Sequence, residues 1–298
     1  MFTQIDHVMI CVPDLEKGIA QYRKLGFDVK PGGNHPGKGT HNAIAFNDTD
    51  YLELLAVRDE AEYKAASSWG GGLPAFIAAG GGIRFVVIQS NDLAADVAAM
   101  KKRGVDVSDA IDGGRRTPGG VELMWKAATL GPKNPLPIFF IQHLTPLAER
   151  KPPVTSHQSR VTGAEHPNGV YKLERSYIVV KDVNAEAALY AKVLGMPQPE
   201  THKGTVVMSD MAIFEIGPTG LGVVTPYAKG PASDYLERRG PGIFQALYRT
   251  KSMGAAAKWM QGQGMAPPAR GTRSNGEQAM LVPPADTFGA YVGFVGPE

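Results

Sequence analysis

DHVMICVPDLEKGIAQYRKLG, at residues 6–26, holds the pattern that decides the fold. An apolar, strand-like run ends at Val12, and the next polar residue is Asp14, a residue type that favours the N-cap of a helix. Apolar residues at helical spacing then continue as far as Gly26, which suits the end of a helix. The stretch therefore predicts a strand followed directly by an amphipathic helix.

The same order of strand, cap, helix and glycine returns three more times along the chain. The copies are IRFVVIQSNDLAADVAAMKKRG at 83–104, ERSYIVVKDVNAEAALYAKVLG at 174–195 and, more weakly, IFQALYRTKSMGAAAKWMQGQG at 243–264. Short strand candidates separated by Gly, Pro and Asn follow each helix, for example YLELLAV at 51–57. The sequence thus predicts four units, each with a strand, a helix and two or three further strands.

A polar stretch without hydrophobic periodicity, residues 145–169, separates the second unit from the third. We therefore expect a first domain at 1–146, a linker at 147–169 and a second domain at 170–298, with two units in each domain. His157 and His166 belong to the expected linker and receive no functional role.

The composition limits the possible functions. The chain has 31 Lys and Arg, 29 Asp and Glu and a net charge of +2, which gives no electrostatic case for nucleic acid. Its single Cys excludes a disulfide framework and a cysteine-based zinc site, so metal chemistry would need His and carboxylates. No apolar run approaches the roughly 20 residues that span a bilayer, and the first residues lack a basic signal-peptide region. We expect a cytoplasmic protein that does not enter the membrane.

Five segments resemble the vicinal oxygen chelate superfamily, and in particular its glyoxalase-like domains. They occur in order as IDHVMICVPDLEKG at 5–18, HPGKGTHNAIAF at 35–46, YLELLAV at 51–57, GGRRTPGGVELMW at 113–125 and LPIFFIQH at 136–143. The resemblance implies an α+β fold, in which four βαβββ modules form two paired-module domains. It also implies a cupped sheet around a divalent metal ion.

His7 and Glu53 are the leading candidates for the site. Glu53 lies within an apolar strand, where a carboxylate is costly to bury unless it is paired or binds a cation. The resemblance implies that metal ligands come from the first and last strands of a module, where His7 and Glu53 fall. His41, on the strand before that of Glu53, would supply a third ligand. Two His and one carboxylate suit Fe, Mn, Ni or Zn.

The second module departs from the four-ligand pattern of the family. Phe85 stands at the position of His7, and Gln142 stands at the position of Glu53. Gln142 is therefore expected to face the site as a substrate-binding residue, while its neighbour His143 points away. This departure argues against glutathione-dependent glyoxalase activity. In the second half Arg175 replaces His7, so we expect no metal there.

Three further residues are expected to contact the substrate. Arg115 and Arg116 lie in GGRRTPGG, where one of them, with Arg116 preferred, would bind a carboxylate. Tyr51 and Asn42 are expected to line the cup beside the catalytic Glu53.

The leading hypothesis is a metal-dependent lyase or isomerase that acts on a small carbonyl or carboxylate substrate chelated by the metal. One alternative is a ring-cleaving dioxygenase with Fe(II). The resemblance implies, however, that such enzymes take their metal ligands, two His and one Glu, from the second half of the chain. The other is a non-catalytic protein that binds small molecules. In each case the partner is a small molecule, and the protein is expected to be a monomer or homodimer.

Overall fold

The computed structural model describes residues 1–66, 72–151 and 166–298. In its first half two modules follow each other, each with one long helix after the first strand. The first contains β1 (Phe2–Cys11), α1 (Leu15–Lys24), β2 (Lys30–His35), β3 (Thr40–Phe46) and β4 (Tyr51–Val57). Two short helices follow it, α2 (Glu60–Ala65) and α3 (Leu73–Ala78). The second contains β5 (Gly82–Ser90), α4 (Leu93–Lys102), β6 (Ile111–Arg116), β7 (Glu122–Thr129) and β8 (Ile138–His143).

The second half repeats this order after the short helix α5 (Leu147–Arg150). The third module contains β9 (Val170–Val179), α6 (Val183–Leu194), β10 (His202–Gly204), β11 (Ser209–Ile216) and β12 (Thr219–Pro226). Helix α7 (Pro231–Arg239) joins it to the fourth, with β13 (Gly242–Thr250), α8 (Met253–Gly262), β14 (Ala269–Thr272), β15 (Gln278–Val282) and β16 (Tyr291–Val295). The prediction of four βαβββ modules is confirmed.

A side-chain cap fixes the start of the long helix in every module. In each case an oxygen of the residue before the helix accepts a hydrogen bond from a backbone N–H of the first turn, which would otherwise have no partner. The capping residues are Asp14, Asp92, Asp182 and Ser252.

The two sheets differ in closure. The first sheet closes into a barrel in the order β1-β4-β3-β2-β6-β7-β8-β5, whereas the second has the order β10-β11-β12-β9-β13-β16-β15-β14. The contact between β2 and β6 rests on a single residue pair, Asn34 with Arg116. The barrel is therefore least tightly joined at this seam, which becomes relevant for access to the site.

One large hydrophobic cluster extends over both halves. Tyr22 and Phe27 of the first half pack in it with Tyr248 and Phe294 of the second, and the ring centres of Phe27 and Tyr248 are 5.2 Å apart. The Tyr22 hydroxyl also donates to the backbone oxygen of Thr287, at 3.1 Å. The helix-covered faces of the two sheets thus share their packing, which leaves the inner face of the barrel free to carry polar side chains.

The expected linker at 147–169 is ordered where the structure describes it. Residues 152–165, which include His157, lie outside the described residues, so the domain boundaries stay a prediction. His166 is buried, and its Nδ1 accepts the backbone N–H of Asp28 at 3.0 Å while its Nε2 lies 3.0 Å from the side-chain oxygen of Asn47. His166 therefore has a structural role that the polar composition did not indicate. None of the described helices is long and apolar enough to cross a membrane.

Candidate functional site

His7, Tyr51, Glu53 and Asn42 share the inner face of the barrel. In the parallel pair β1–β4, His7 lies beside Tyr51, and side chains two residues apart on a strand point the same way, which places Glu53 on the face of Tyr51. Asn42 pairs with Leu55 on the neighbouring strand and so joins this face. The alternation of β1 and β4 therefore brings four of the expected residues together.

Glu53 is held from two sides. Its Oε2 lies 3.2 Å from His7 Nε2, and its Oε1 accepts a hydrogen bond of 2.7 Å from the Asn42 amide. The Tyr51 ring stacks on the His7 imidazole with ring centres 4.2 Å apart and planes 15° from parallel. His7 is only 2% exposed and Glu53 only 5% exposed, so these contacts form in a setting that weakens competition from water.

Asp6 completes the cluster, although the sequence analysis did not select it. Its carboxylate is fully buried, lies 2.7 Å from His7 Nδ1, and is also 3.0 Å from His143 Nε2. The pairing of β1 with β5 shifts register between Ile5 and His7, and such a bulge redirects a side chain. The argument that singled out Glu53, a carboxylate inside an apolar strand, also applied to Asp6.

The cluster carries alternating charges. Burial by itself raises the pKa of a carboxyl, but contacts with His143 and His7 hold the pKa of Asp6 well below its usual range. Burial also raises the pKa of Glu53, but its hydrogen bond to His7 and the other contacts around it together outweigh burial, and the pKa is lowered overall. Burial disfavours protonated His7, yet its bonds to Asp6 and Glu53 raise its pKa to about 8. At neutral pH an imidazolium therefore lies between two carboxylates.

His41 does not join this cluster, which corrects its expected role as a ligand. It pairs directly with Ala56, and Ala56 belongs to the core on the helix-covered face. There the charges that influence His41 are those of Arg58, Glu16 and Asp14 rather than that of Glu53. Adjacent residues of a strand point to opposite faces, so Asn42 takes the inward position next to His41.

Gln142 and His143 point in the directions opposite to those expected. The Gln142 side-chain oxygen accepts the backbone N–H of Leu93 at 3.0 Å, and its nitrogen donates to the oxygen of Asn91 at 3.2 Å. These bonds fasten the start of α4 and take Gln142 away from the cup. His143 points inward instead and contacts Asp6.

The two neighbouring arginines also have different roles. Arg116 is exposed, pairs with Glu122 at 2.6 Å and lines a groove at the seam between β2 and β6, so its expected contact with substrate stays a prediction. Arg115 is half-buried and donates to the backbone oxygen of Gly32. Burial lowers the pKa of Arg115, and the nearby charge of Glu53 opposes this shift. Of the two arginines, Arg115 is therefore the one that acts on the inner face.

His35 and Lys38 approach Glu53 from the end of β2 and the loop that follows it. His35 is buried with its Nδ1 2.9 Å from the Thr40 hydroxyl, and burial lowers its pKa to about 4. Burial also lowers the pKa of Lys38, against the opposing charge of Glu53. His35 is the last residue of β2, and the structure places its neutral imidazole beside the site.

The inner face does not fit the metal that the resemblance implies. A catalytic metal typically has three protein ligands and an open position, but only His7 and Glu53 of the expected set face each other. Phe139 lies 6.3 Å from the His7 ring, and Phe85 packs 5.6 Å from Phe139, so the second module supplies apolar groups here. Among the described residues no group of three or more His, Cys, Asp or Glu could hold a metal ion.

A groove of about 700 Å³ runs along the seam between β2 and β6. Its lining includes Asn34, Asn42, Arg115 and Met124. Asn42 is the link between the groove and the buried cluster, because its amide nitrogen binds Glu53 while the residue also lines the groove. Its amide oxygen is buried and has no partner among the described residues. Arg116 and Glu122 are exposed lining residues of the same groove, whereas Asn42 is only 3% exposed.

Comparisons with known proteins agree with this architecture. The family model for the glyoxalase-like domain matches residues 5–194, more than half of the chain. The chain belongs to the glyoxalase-like domain family. No curated protein matches this family member in sequence.

Solved structures show the same fold for this glyoxalase-like protein. A hypothetical protein from Staphylococcus aureus has a TM-score of 0.63 at 15% identity, with 98% of each chain covered. A mutant of 4-hydroxymandelate synthase from Streptomyces coelicolor has a TM-score of 0.64 at 11% identity, covering 100% of this chain and 94% of the other. At these identities the likeness concerns the fold alone, so function must be argued from the site.

Proposed function

We propose that this protein is an enzyme of the lyase or isomerase type, which moves a proton at the carbon next to the carbonyl or carboxylate of a small organic acid. The observation that carries the proposal is the buried chain Asp6–His7–Glu53, in which an imidazolium lies between two carboxylates. Such a chain provides a base and an acid side by side, as proton transfer next to a carbonyl requires.

Each member of the chain has a distinct role in this proposal. Glu53, kept ionised by its bonds to His7 and Asn42, takes the proton from carbon. His7 donates its Nε2 proton to the substrate oxygen, where the negative charge develops. Asp6 accepts from His7 Nδ1, fixes the ring and stabilises its protonated form, and therefore acts as a positioning residue.

Arg115 would bind the carboxylate of the substrate. It lines the groove and is close enough to Glu53 to feel its charge, so a substrate anion there would be held near the acid–base pair. The orphaned oxygen of Asn42 can accept a hydroxyl of the same molecule. These contacts favour a small, oxygen-rich acid over a large apolar substrate.

No step in this proposal passes through a metal, because the donor set does not fit one. The ring-cleaving dioxygenase is not proposed for the same reason, since Fe(II) in such a site needs a facial set of three ligands. Non-catalytic binding has one observation in its favour, namely that both oxygens of Glu53 already have partners within the chain.

The test is the exchange of carbon-bound hydrogen for solvent deuterium. A panel of small 2-oxo and 2-hydroxy acids is incubated with the protein in D₂O, and loss of the α-proton signal is followed by NMR. We expect exchange of at least one acid by the wild type and a loss of about 100-fold or more in Glu53→Gln, since general acid–base groups contribute at this scale.

The neighbouring arginines provide a matched control pair. Arg115→Gln should raise the KM for the exchanging acid more than Arg116→Gln does, because Arg116 also lines the groove but is paired with Glu122. Chelator should leave the exchange rate unchanged. Binding of the acids without any exchange would favour the non-catalytic alternative, and exchange that is lost with chelator would refute the metal-free scheme.

A further inference from the structure

A second cavity lies between the two halves of the chain, away from the barrel site. Its volume is about 550 Å³, and both halves contribute to its wall. The apolar part of the wall comes from the sheets and the loop before β8, with Ile83, Leu136, Ile178, Val180 and Ile243. A cavity of this size suits a small molecule with an apolar body.

The rim of this cavity is positively charged. Arg84, Arg238 and Arg239 line it, while Glu186 is the only acid among the described lining residues. Within residues 1–66, 72–151 and 166–298, no carboxylate lies within 4.0 Å of the Arg238 or Arg239 guanidinium. The rim thus offers cationic groups to an anion.

Phe76 fixes two of these cations in place. The guanidinium carbon of Arg84 lies 5.2 Å from the centre of the Phe76 ring, and that of Arg239 lies 5.0 Å from it. Arg239 also donates to the backbone oxygen of Ala79 at 3.1 Å, across the boundary between the halves. Ordered arginines lose less freedom when an anion binds.

Tyr190 lines this cavity and carries a buried hydroxyl with no hydrogen-bond partner among the described residues. The residue is only 1% exposed. Burial raises the pKa of Tyr190 well above its usual value, so the hydroxyl keeps its proton and can donate. An unpartnered buried hydroxyl is costly, and a ligand oxygen would satisfy it.

From these observations we infer that the cavity between the halves is a binding site for a small organic acid. Its apolar body lies on the aliphatic wall, its anionic group meets the Arg238 and Arg239 rim, and one oxygen accepts the Tyr190 hydroxyl. This site is separate from the groove at Arg115 and does not depend on the function proposed for the barrel.

Titration calorimetry of the full chain with phenylacetate and hexanoate tests this inference, with 2-phenylethanol and 1-hexanol as neutral counterparts. We expect both acids to bind in preference to the alcohols. Tyr190→Phe should weaken binding about three- to tenfold, as expected for one lost hydrogen bond. Arg239→Gln should weaken it about tenfold or more, because the lost contact is charged.

Tyr248→Phe is the matched control, because the Tyr248 hydroxyl is also buried without a partner in the described structure but does not line this cavity. Neither tyrosine variant loses a hydrogen bond to the described residues, so both should fold. The inference is overturned if neither acid binds, if Tyr190→Phe and Tyr248→Phe bind alike, or if Arg115→Gln rather than Arg239→Gln removes the binding.

Discussion

Replacing His7 by Gln should destabilise the protein far more than the same change at His41. His7 is buried between two carboxylates, so its removal takes an ion-pair partner from Glu53, which keeps its hydrogen bond to the Asn42 amide, and deprives Asp6 of one of its two histidines. Removing one partner of a buried ion pair typically costs about 3–5 kcal/mol. His41 is only half-buried, and substitutions in such places usually change stability by about 0.5 kcal/mol or less.

The pKa of His7 gives a second value for this cost. Its rise from 6.5 to about 8 corresponds to about 2 kcal/mol of favourable interaction with the protonated ring. Because the folded pKa is the higher one, this stabilisation is fully present below pH 6.5 and is lost as the pH rises through 8. The remainder of the cost comes from the carboxylates left behind.

Urea unfolding, followed by circular dichroism, measures both variants beside the wild type. We expect His7→Gln to lower the free energy of unfolding by about 3 kcal/mol below pH 6.5, with a smaller difference above pH 8. His41→Gln should stay close to wild type at both values. Equal effects of the two substitutions, or a His7→Gln difference that grows with pH, would refute the ion-pair assignment.

Three other predictions concern groups outside the pair. Burial lowers the pKa of His166 from 6.5 to about 4, so the neutral ring fits the fold without penalty above pH 6.5. The free energy of unfolding should fall by about 3 kcal/mol as the pH drops towards 4, because the folded protein resists protonation of this ring. Urea titrations should show a smaller loss in His166→Gln. Gln142→Ala should lower the stability measured by thermal unfolding by about 1 kcal/mol, because it removes a hydrogen bond at the start of α4. It should not change the deuterium-exchange rate, and a loss of exchange would show that Gln142 takes part in the site. Cys11 is buried and burial raises the pKa of its thiol, so iodoacetamide should modify it only after unfolding, and rapid native labelling would contradict its place in the core.

The sequence could predict the fold because its signals are local. Asp14 and Asp92 mark helix starts at matching places in their modules, and the structure confirms that both carboxylates cap helices. His7 and Glu53 were recognisable because a polar side chain inside an apolar strand needs a partner, and here each is the partner of the other.

The remaining site residues depended on register, which the sequence does not define to one residue. His41 and Asn42 were both expected at the site, although neighbours on a strand point to opposite faces, and Gln142 was expected inward in place of His143. A slip of one residue reverses every side chain of a strand. Asp6 faces the site through a bulge whose cause lies in the pairing with β5. His166 finds its partners far away in the chain, which local composition cannot show.

The central claim is that Glu53 belongs to an acid–base pair with His7 and not to a metal centre. Elemental analysis of the protein purified without chelator, before and after dialysis against Fe, Mn, Ni or Zn, tests this directly beside Glu53→Gln. We expect no bound metal that depends on Glu53, so that wild type and variant give the same metal content. One equivalent of metal in the wild type that is lost in Glu53→Gln would contradict the account.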